Sequence, residues 1–231
     1  MTADSPAAGK QVSQTLEIEI AGSDARKISY LLYLPADYQA DGAAKPLLLF
    51  LHGAGERGND LELVKKHGPP KLAVVKSLPF IVVSPQCPTD QWWNAGENLE
   101  ALSQLLNAIQ AQYAVDPKQI YCTGLSMGGY GVLSLVAKHP YKFAAAISIC
   151  GGGDPAQADR FQSTPLWAFH GDADEVVPLK RSEEMIAAVQ DAGGDAKLTI
   201  YPGVKHDSWS ATYDNPEVYD WLLSHVLRQT E

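Results

Sequence analysis

Residues 15–20 alternate polar and apolar side chains, with Leu16, Ile18 and Ile20 sharing one side, the period of a half-buried strand. Residues 27–34 repeat the pattern after the turn residues Gly22, Ser23 and Asp24, which predicts an antiparallel pair. At Pro46 the pattern changes. PLLLFL, ending at Leu51, is a continuous apolar run, typical of a strand covered on both faces. Runs of the same type follow at 80–84, 119–123, 144–149, 166–169 and 197–201. Helical periodicity fills the intervals. Residues 97–113 put Leu99, Leu102, Leu105, Leu106 and Ile109 on one face, and 128–138, 182–192 and 217–228 follow, the last with Pro216 suited to its first turn. Strand and helix in alternation predict an α/β fold: a mostly parallel sheet, right-handed crossovers, and helices on both faces. The run 15–231 reads as one domain, and 1–14, polar and rich in Ala, Ser and Gly, as a loose tail. The stretch between Ile149 and Pro165 holds only a loop or a short helix, so no lid domain is expected.

Chemistry enters with Gly124-Leu125-Ser126-Met127-Gly128, a G-x-S-x-G motif lying between a strand pattern and a helix pattern. That context puts a serine on a strained strand-to-helix turn, its hydroxyl lifted clear of the sheet and the helix N-terminus behind it. Side chains at Gly124 or Gly128 would collide with neighbouring backbone. A serine hydroxyl is a weak nucleophile until a base takes its proton and an acid orients that base. His206 suits the base: it lies in a polar loop after the last strand pattern, on the sheet edge where Ser126 emerges. The loop His170-Gly171-Asp172-Ala173-Asp174-Glu175 offers the acid. Asp174 is far enough past the strand to turn back towards the histidine, whereas Asp172 suits bracing the loop backbone and Glu175 ranks third.

Two N–H groups are needed to hold a developing oxyanion. Met127, directly after the serine, supplies one. The Gly-rich loop Leu51-His52-Gly53-Ala54-Gly55-Glu56-Arg57-Gly58 supplies the other, from Ala54 or, second, Gly55. No Lys-Ser/Thr pair follows this loop, so it is not a phosphate cradle. His52 and His170, each ending an apolar run as His-Gly, are expected to bond loop backbone; His67, His139 and His225 are expected to be solvated. Trp92 and Trp93, in the loop after the 80–84 run, are candidates for a substrate wall or for a packing plug, with Arg57 and Trp209 as further substrate-binding candidates.

These motifs, with His-Gly-Asp-Ala-Asp-Glu-Val-Val-Pro and the late His206, resemble the carboxylesterase branch of the α/β-hydrolases. The nearest groups are the polyhydroxybutyrate depolymerase-like and feruloyl esterase-like enzymes, with the phospholipase/carboxylesterase and acyl-protein thioesterase group close by. The likeness runs from about Tyr30 to Leu227. It implies Ser126, Asp174 and His206 as a triad and Ala54 and Met127 as oxyanion donors; the two-step acyl transfer read from these groups needs neither metal nor organic cofactor.

Composition narrows the picture further. A formal charge of −9 over 231 residues, without a dense Lys/Arg run, argues against nucleic acid or an anionic membrane as partner. Three cysteines, Cys87, Cys122 and Cys150, are too few and too odd for a disulfide framework and read as reduced thiols. No run reaches the ~18 apolar residues of a membrane span, and the first residues lack an apolar export core; with the reduced thiols this points to the cytoplasm, the alternative being export on a signal that this sequence does not carry. The expectation is a serine carboxylesterase acting on short-chain or aryl small-molecule esters through an acyl-enzyme. A serine peptidase or amidase, an acyltransferase, and a non-enzymatic binding module on the same scaffold are the rival readings.

Overall fold

The computed structural model describes residues 6–19 and 26–227. Among these residues, eight strands form one sheet in the order β1-β2-β4-β3-β5-β6-β7-β8: β1 (Gln11–Ile18), β2 (Arg26–Tyr33), β3 (Lys45–Leu51), β4 (Ile81–Pro85), β5 (Val115–Leu125), β6 (Ala145–Ile149), β7 (Leu166–Gly171) and β8 (Ala196–Tyr201). β3 to β8 are mutually parallel, while β2 pairs antiparallel with both β1 and β4. The helices are α1 (Gly68–Val75), α2 (Gly96–Gln112), α3 (Met127–Lys138), α4 (Lys180–Asp191), α5 (Trp209–Asp214) and α6 (Pro216–Leu223).

The continuous apolar runs are explained by helices on both faces. In β3, Leu47, Leu49 and Leu51 join the core under α2, α3 and α4, while Leu48 and Phe50 join the opposite core with α1, α5 and α6. All five are fully buried. At about 25 cal/mol per Å² of apolar surface removed from water, this central strand anchors both layers at once. The helical face read in α2 is confirmed, with Leu99, Leu102, Leu105, Leu106 and Ile109 all buried.

Several elements differ from the sequence pattern. The stretch expected as a loose tail pairs from Gln11 onward, with Gln11 to Gln14 opposite Tyr33 to Tyr30 of β2 and Gly9 N–H donating to Leu34 O at 2.9 Å. On an edge strand the backbone ladder, not side-chain burial, sets the extent, so polar residues conceal it. The predicted turn at 22–24 and residues 1–5 lie outside the described residues. α1 escaped the pattern because it opens on Gly68-Pro69-Pro70, which reads as a breaker although proline is well tolerated in a first turn. The last helix, expected to reach 228, stops at Leu223: Leu227 N–H donates to Lys118 O at 2.9 Å and Tyr121 Oη–H to His225 O at 2.8 Å, drawing the chain back onto β5.

Between β6 and β7 the chain forms a 3₁₀ helix, Pro155–Phe161, packed on α3 and α4. It lies along the flank of the sheet and is not a lid. Because β3 to β8 run the same way, the loops that follow them share one edge, with β5 between β3 and β6 near its middle.

Candidate active site

Ser126 joins β5 to α3 with φ 51° and ψ −116°, a backbone conformation that a side chain rarely adopts. Its N–H donates to Ile149 O at 2.8 Å, tying the strained turn to the end of β6. The turn is tight enough that a Cβ on Gly128 would overlap the Leu51 carbonyl and lie 2.8 Å from His52 O. α3 can therefore start directly against the end of β3 only because position 128 has no side chain. Ser126 remains partly exposed.

His206 reaches Ser126 from eighty residues further along the chain. The loop after β8 lies against the end of β7, where a Cβ on Gly171 would overlap Val204 O, and Ala173 N–H donates to Val204 O at 3.0 Å. This close approach sets His206 Nε2 3.0 Å from Ser126 Oγ and His206 Nδ1 2.7 Å from Asp174 Oδ2. A carboxylate only accepts, so Nδ1 carries the proton and Nε2 is free to accept from the serine hydroxyl.

Asp174 is buried, and its second oxygen, Oδ1, accepts from Val176 N–H at 2.8 Å and Val177 N–H at 2.9 Å. Burial pushes its carboxyl up, but the hydrogen bond with His206 and the two amides together outweigh it and hold it below the usual value. A group so depressed stabilises the fold above its unfolded pKa, and that contribution disappears as pH falls through the folded value. Asp174→Asn is accordingly expected to lower the urea midpoint at neutral pH, with the gap to the native protein narrowing as pH drops below the ordinary 3.8. A gap that stays constant down the acid side would contradict this. Asp172, by contrast, is exposed and accepts from Gly203 N–H at 2.6 Å, bracing the neighbouring turn; Glu175 is exposed.

Met127 opens α3 and Ala54 opens a 3₁₀ turn, Ala54–Glu56, so neither amide has an acceptor within its own helix. The Ala54 loop is held in place by several contacts. Arg57 Nε–H donates to Ala54 O at 3.0 Å and its Nη1 to Gln91 O at 3.3 Å, and the guanidinium lies 5.4 Å from the Trp92 ring centroid. His52 Nδ1 donates to Gly53 O at 2.6 Å while its Nε2 accepts from Cys87 N–H at 3.0 Å. Burial drives His52 down to about 4, so it is a neutral scaffold residue at neutral pH.

The four residues singled out for substrate do not stay together. Trp92 is 50 % exposed and paired with Arg57 on the rim; Trp209 is half-buried, edge-on to His206 at 5.2 Å. Trp93 is 1 % exposed and donates through Nε1 to His52 O at 3.0 Å. It packs beneath the loop, edge-on to the His52 ring at 5.1 Å, and at that burial cannot line a solvent-reached pocket. His67, expected to be solvated, is half-buried, 5.4 Å from the Trp209 ring and 3.8 Å from the buried Glu56 carboxylate. Nothing in local spacing announces that contact.

Cys150, Asp174 and His206 bring a sulfur, an oxygen and a nitrogen within 4.8 Å of one another. That set fits a metal poorly: burial pushes the Cys150 thiol up to about 12, and the facing atoms of Asp174 and His206 are already bonded to each other. Among the described residues no helix is long and apolar enough to cross a membrane.

The sequence profile of the dienelactone hydrolase family matches residues 86–220, more than half of the chain. The chain belongs to this family. The matched span of this dienelactone hydrolase family member contains Ser126, Asp174 and His206, while the Ala54 loop lies before it. The chain is 27% identical over 188 residues to a bifunctional acetylxylan esterase/xylanase of Neocallimastix patriciarum, covering 76% of this chain and 26% of that protein. It is 27% identical over 144 residues to poly(3-hydroxyalkanoate) depolymerase C of Paucimonas lemoignei, covering 57% and 33%. A solved thermostable esterase superposes with a TM-score of 0.80 at 33% identity, covering 93% of this chain and 63% of its own. The chain spans about half the length, or less, of the first curated relatives it matches.

Proposed function

We propose that this member of the dienelactone hydrolase family is a serine carboxylesterase that hydrolyses short-chain or aryl esters through an acyl-enzyme. The observation that carries the reading is the unbroken line Ser126 Oγ, His206 Nε2, His206 Nδ1, Asp174 Oδ2, at 3.0 and 2.7 Å. Ser126 Oγ attacks the ester carbonyl carbon while His206 Nε2 takes its proton, and the N–H groups of Met127 and Ala54 receive the oxyanion. The C–O bond to the alcohol breaks as His206 returns that proton to the leaving oxygen. Water then adds to the acyl carbon, giving its proton to His206, and collapse releases the acid and restores the Ser126 hydroxyl. Every step is a proton or acyl transfer among these groups, and the esterase names carried by relatives and by the solved neighbour agree with it.

The proposed chain-length preference rests on the short connection between β6 and β7. The 3₁₀ helix between β6 and β7 packs on α3 and α4, and a site without an inserted lid is expected to offer a long acyl chain little apolar wall. An enclosed tunnel would favour each added CH₂ by about 0.8 kcal/mol, a several-fold gain in kcat/KM per carbon. We expect p-nitrophenyl esters, assayed below their solubility limits, to peak between acetyl and butyryl. A steady rise towards dodecanoyl would replace the short-chain reading with a lipase-like one.

A further inference from the structure

His170 belongs to none of the groups that meet the substrate, yet it lies against the acid of the triad. It is the penultimate residue of β7 and is fully buried. Its Nε2 is 2.9 Å from Val177 O and 3.2 Å from Asp174 Oδ2. A carbonyl and a carboxylate only accept, so Nε2 must carry a proton. On the other side of the ring, Nδ1 is 2.8 Å from Ser182 Oγ, which is itself 3.0 Å from Gly151 O. The imidazole is thus held between the first turn of α4, the loop after β6 and the turn at 174–177.

Four N–H groups surround the Asp174 carboxylate. Val176 and Val177 N–H occupy Oδ1, His206 Nδ1–H occupies Oδ2 from one side, and His170 Nε2 faces Oδ2 from the other. Val177 contributes twice, its amide bonded to the carboxylate and its carbonyl to His170. An exposed turn residue, Val176 at 68 % exposure, sits in this segment, so the turn has little apolar packing to keep it in place. We propose that His170 is a positioning residue: its Nε2–H fixes the 174–177 turn and the Asp174 carboxylate, and through that carboxylate the proton on His206 Nδ1. The role assigned to Asp174 rests on the acyl-transfer reading above; the contact between His170 and Asp174 does not. A displacement of ~1 Å in a catalytic group can cost about 10²-fold in rate, so a buried donor of this kind has a measurable effect without touching substrate.

The test uses the full chain with ¹⁵N-labelled histidine. In the native protein, His170 is expected to show a protonated Nε2, and His206 a far-downfield proton on Nδ1. Two variants separate hydrogen bonding from packing: His170→Gln can present an amide N–H near the Nε2 position, whereas His170→Leu fills the volume with no donor. We expect His170→Leu to lower kcat by roughly ten- to a hundredfold with KM nearly unchanged, and to shift or broaden away the His206 Nδ1 proton signal. His170→Gln should restore most of both. A bare Nε2 on native His170 would overturn the proposal. So would a His170→Leu protein with native kcat and a native His206 signal, or equal losses in both variants with that signal intact. If His170→Leu does not fold, the native spectrum and His170→Gln decide. Should the acyl-transfer reading itself fail, Ser126→Ala would keep full turnover while the His206 signal still reported on His170.

Discussion

Ser126→Ala is expected to abolish covalent labelling by a fluorophosphonate probe and to lower ester turnover by roughly 10⁴- to 10⁶-fold, the scale seen when a triad nucleophile is removed. The expectation follows from position. Ser126 Oγ is the hydroxyl within hydrogen-bonding reach of His206 Nε2, on a turn whose φ of 51° holds it out from the sheet. Removing Oγ deletes the bond-forming atom but leaves the turn: the Ser126 N–H bond to Ile149 O and the Tyr130 N–H bond to Ser126 O are backbone interactions that alanine keeps. The variant should therefore fold normally, as its thermal melt and near-ultraviolet dichroism would report. Residual turnover is then expected from the proposed oxyanion donors, the amides of Met127 and Ala54, and from binding alone. A folded Ser126→Ala protein that still labels fully would put the nucleophile elsewhere.

Asp174→Asn carries the second large effect, about 10⁴-fold in kcat, or roughly 5.5 kcal/mol of transition-state stabilisation. The asparagine oxygen can still accept from Val176 and Val177 N–H, so the turn has a means of persisting. Its NH₂ group then faces His206 Nδ1, a donor against a donor, unless the imidazole moves its proton to Nε2. In that tautomer Nε2 points an N–H at Ser126 and cannot take its proton. Asp172→Asn is the control, because an amide oxygen can still accept from Gly203 N–H and the contacts among Ser126, His206 and Asp174 are untouched. Purified, folded variants compared by kcat settle the order; a larger loss in Asp172→Asn would transfer the role to that residue.

How much of this was legible along the chain depends on the range of the interaction responsible. Residues 46–51 announced β3 because both faces of that strand are apolar, and residues 97–113 announced α2 because one helical face is. The elbow at Ser126 was legible for the same reason, since strand pattern, small residues and helix pattern are all local. The contact of Asp174, and not Asp172, with His206 was also legible, because the extra two residues past the strand give the chain room to turn back.

What only the tertiary structure decided involves contacts between distant segments or the direction of a single side chain. Trp92 and Trp93 are adjacent and identical in type, yet one stacks with Arg57 at the rim and the other is buried, bonded to His52 O. The end of α6 is set by Leu227 bonding to Lys118, and the start of β1 by an edge ladder that polar residues satisfy as well as apolar ones. The place of His170 beside Asp174 belongs here too. From the sequence it is one more histidine closing an apolar run, like His52. The turn at 174–177 folds back over the end of β7, and only that return makes its buried N–H face the carboxylate. The chain itself determined the layers and the order of the chemical groups, because periodicity and sequence order are local properties. Which groups share a hydrogen bond was decided by the crossing of loops tens of positions apart, as for Ser126 and His206, or by how a short turn folds back on its own strand, as for His170 and Val177.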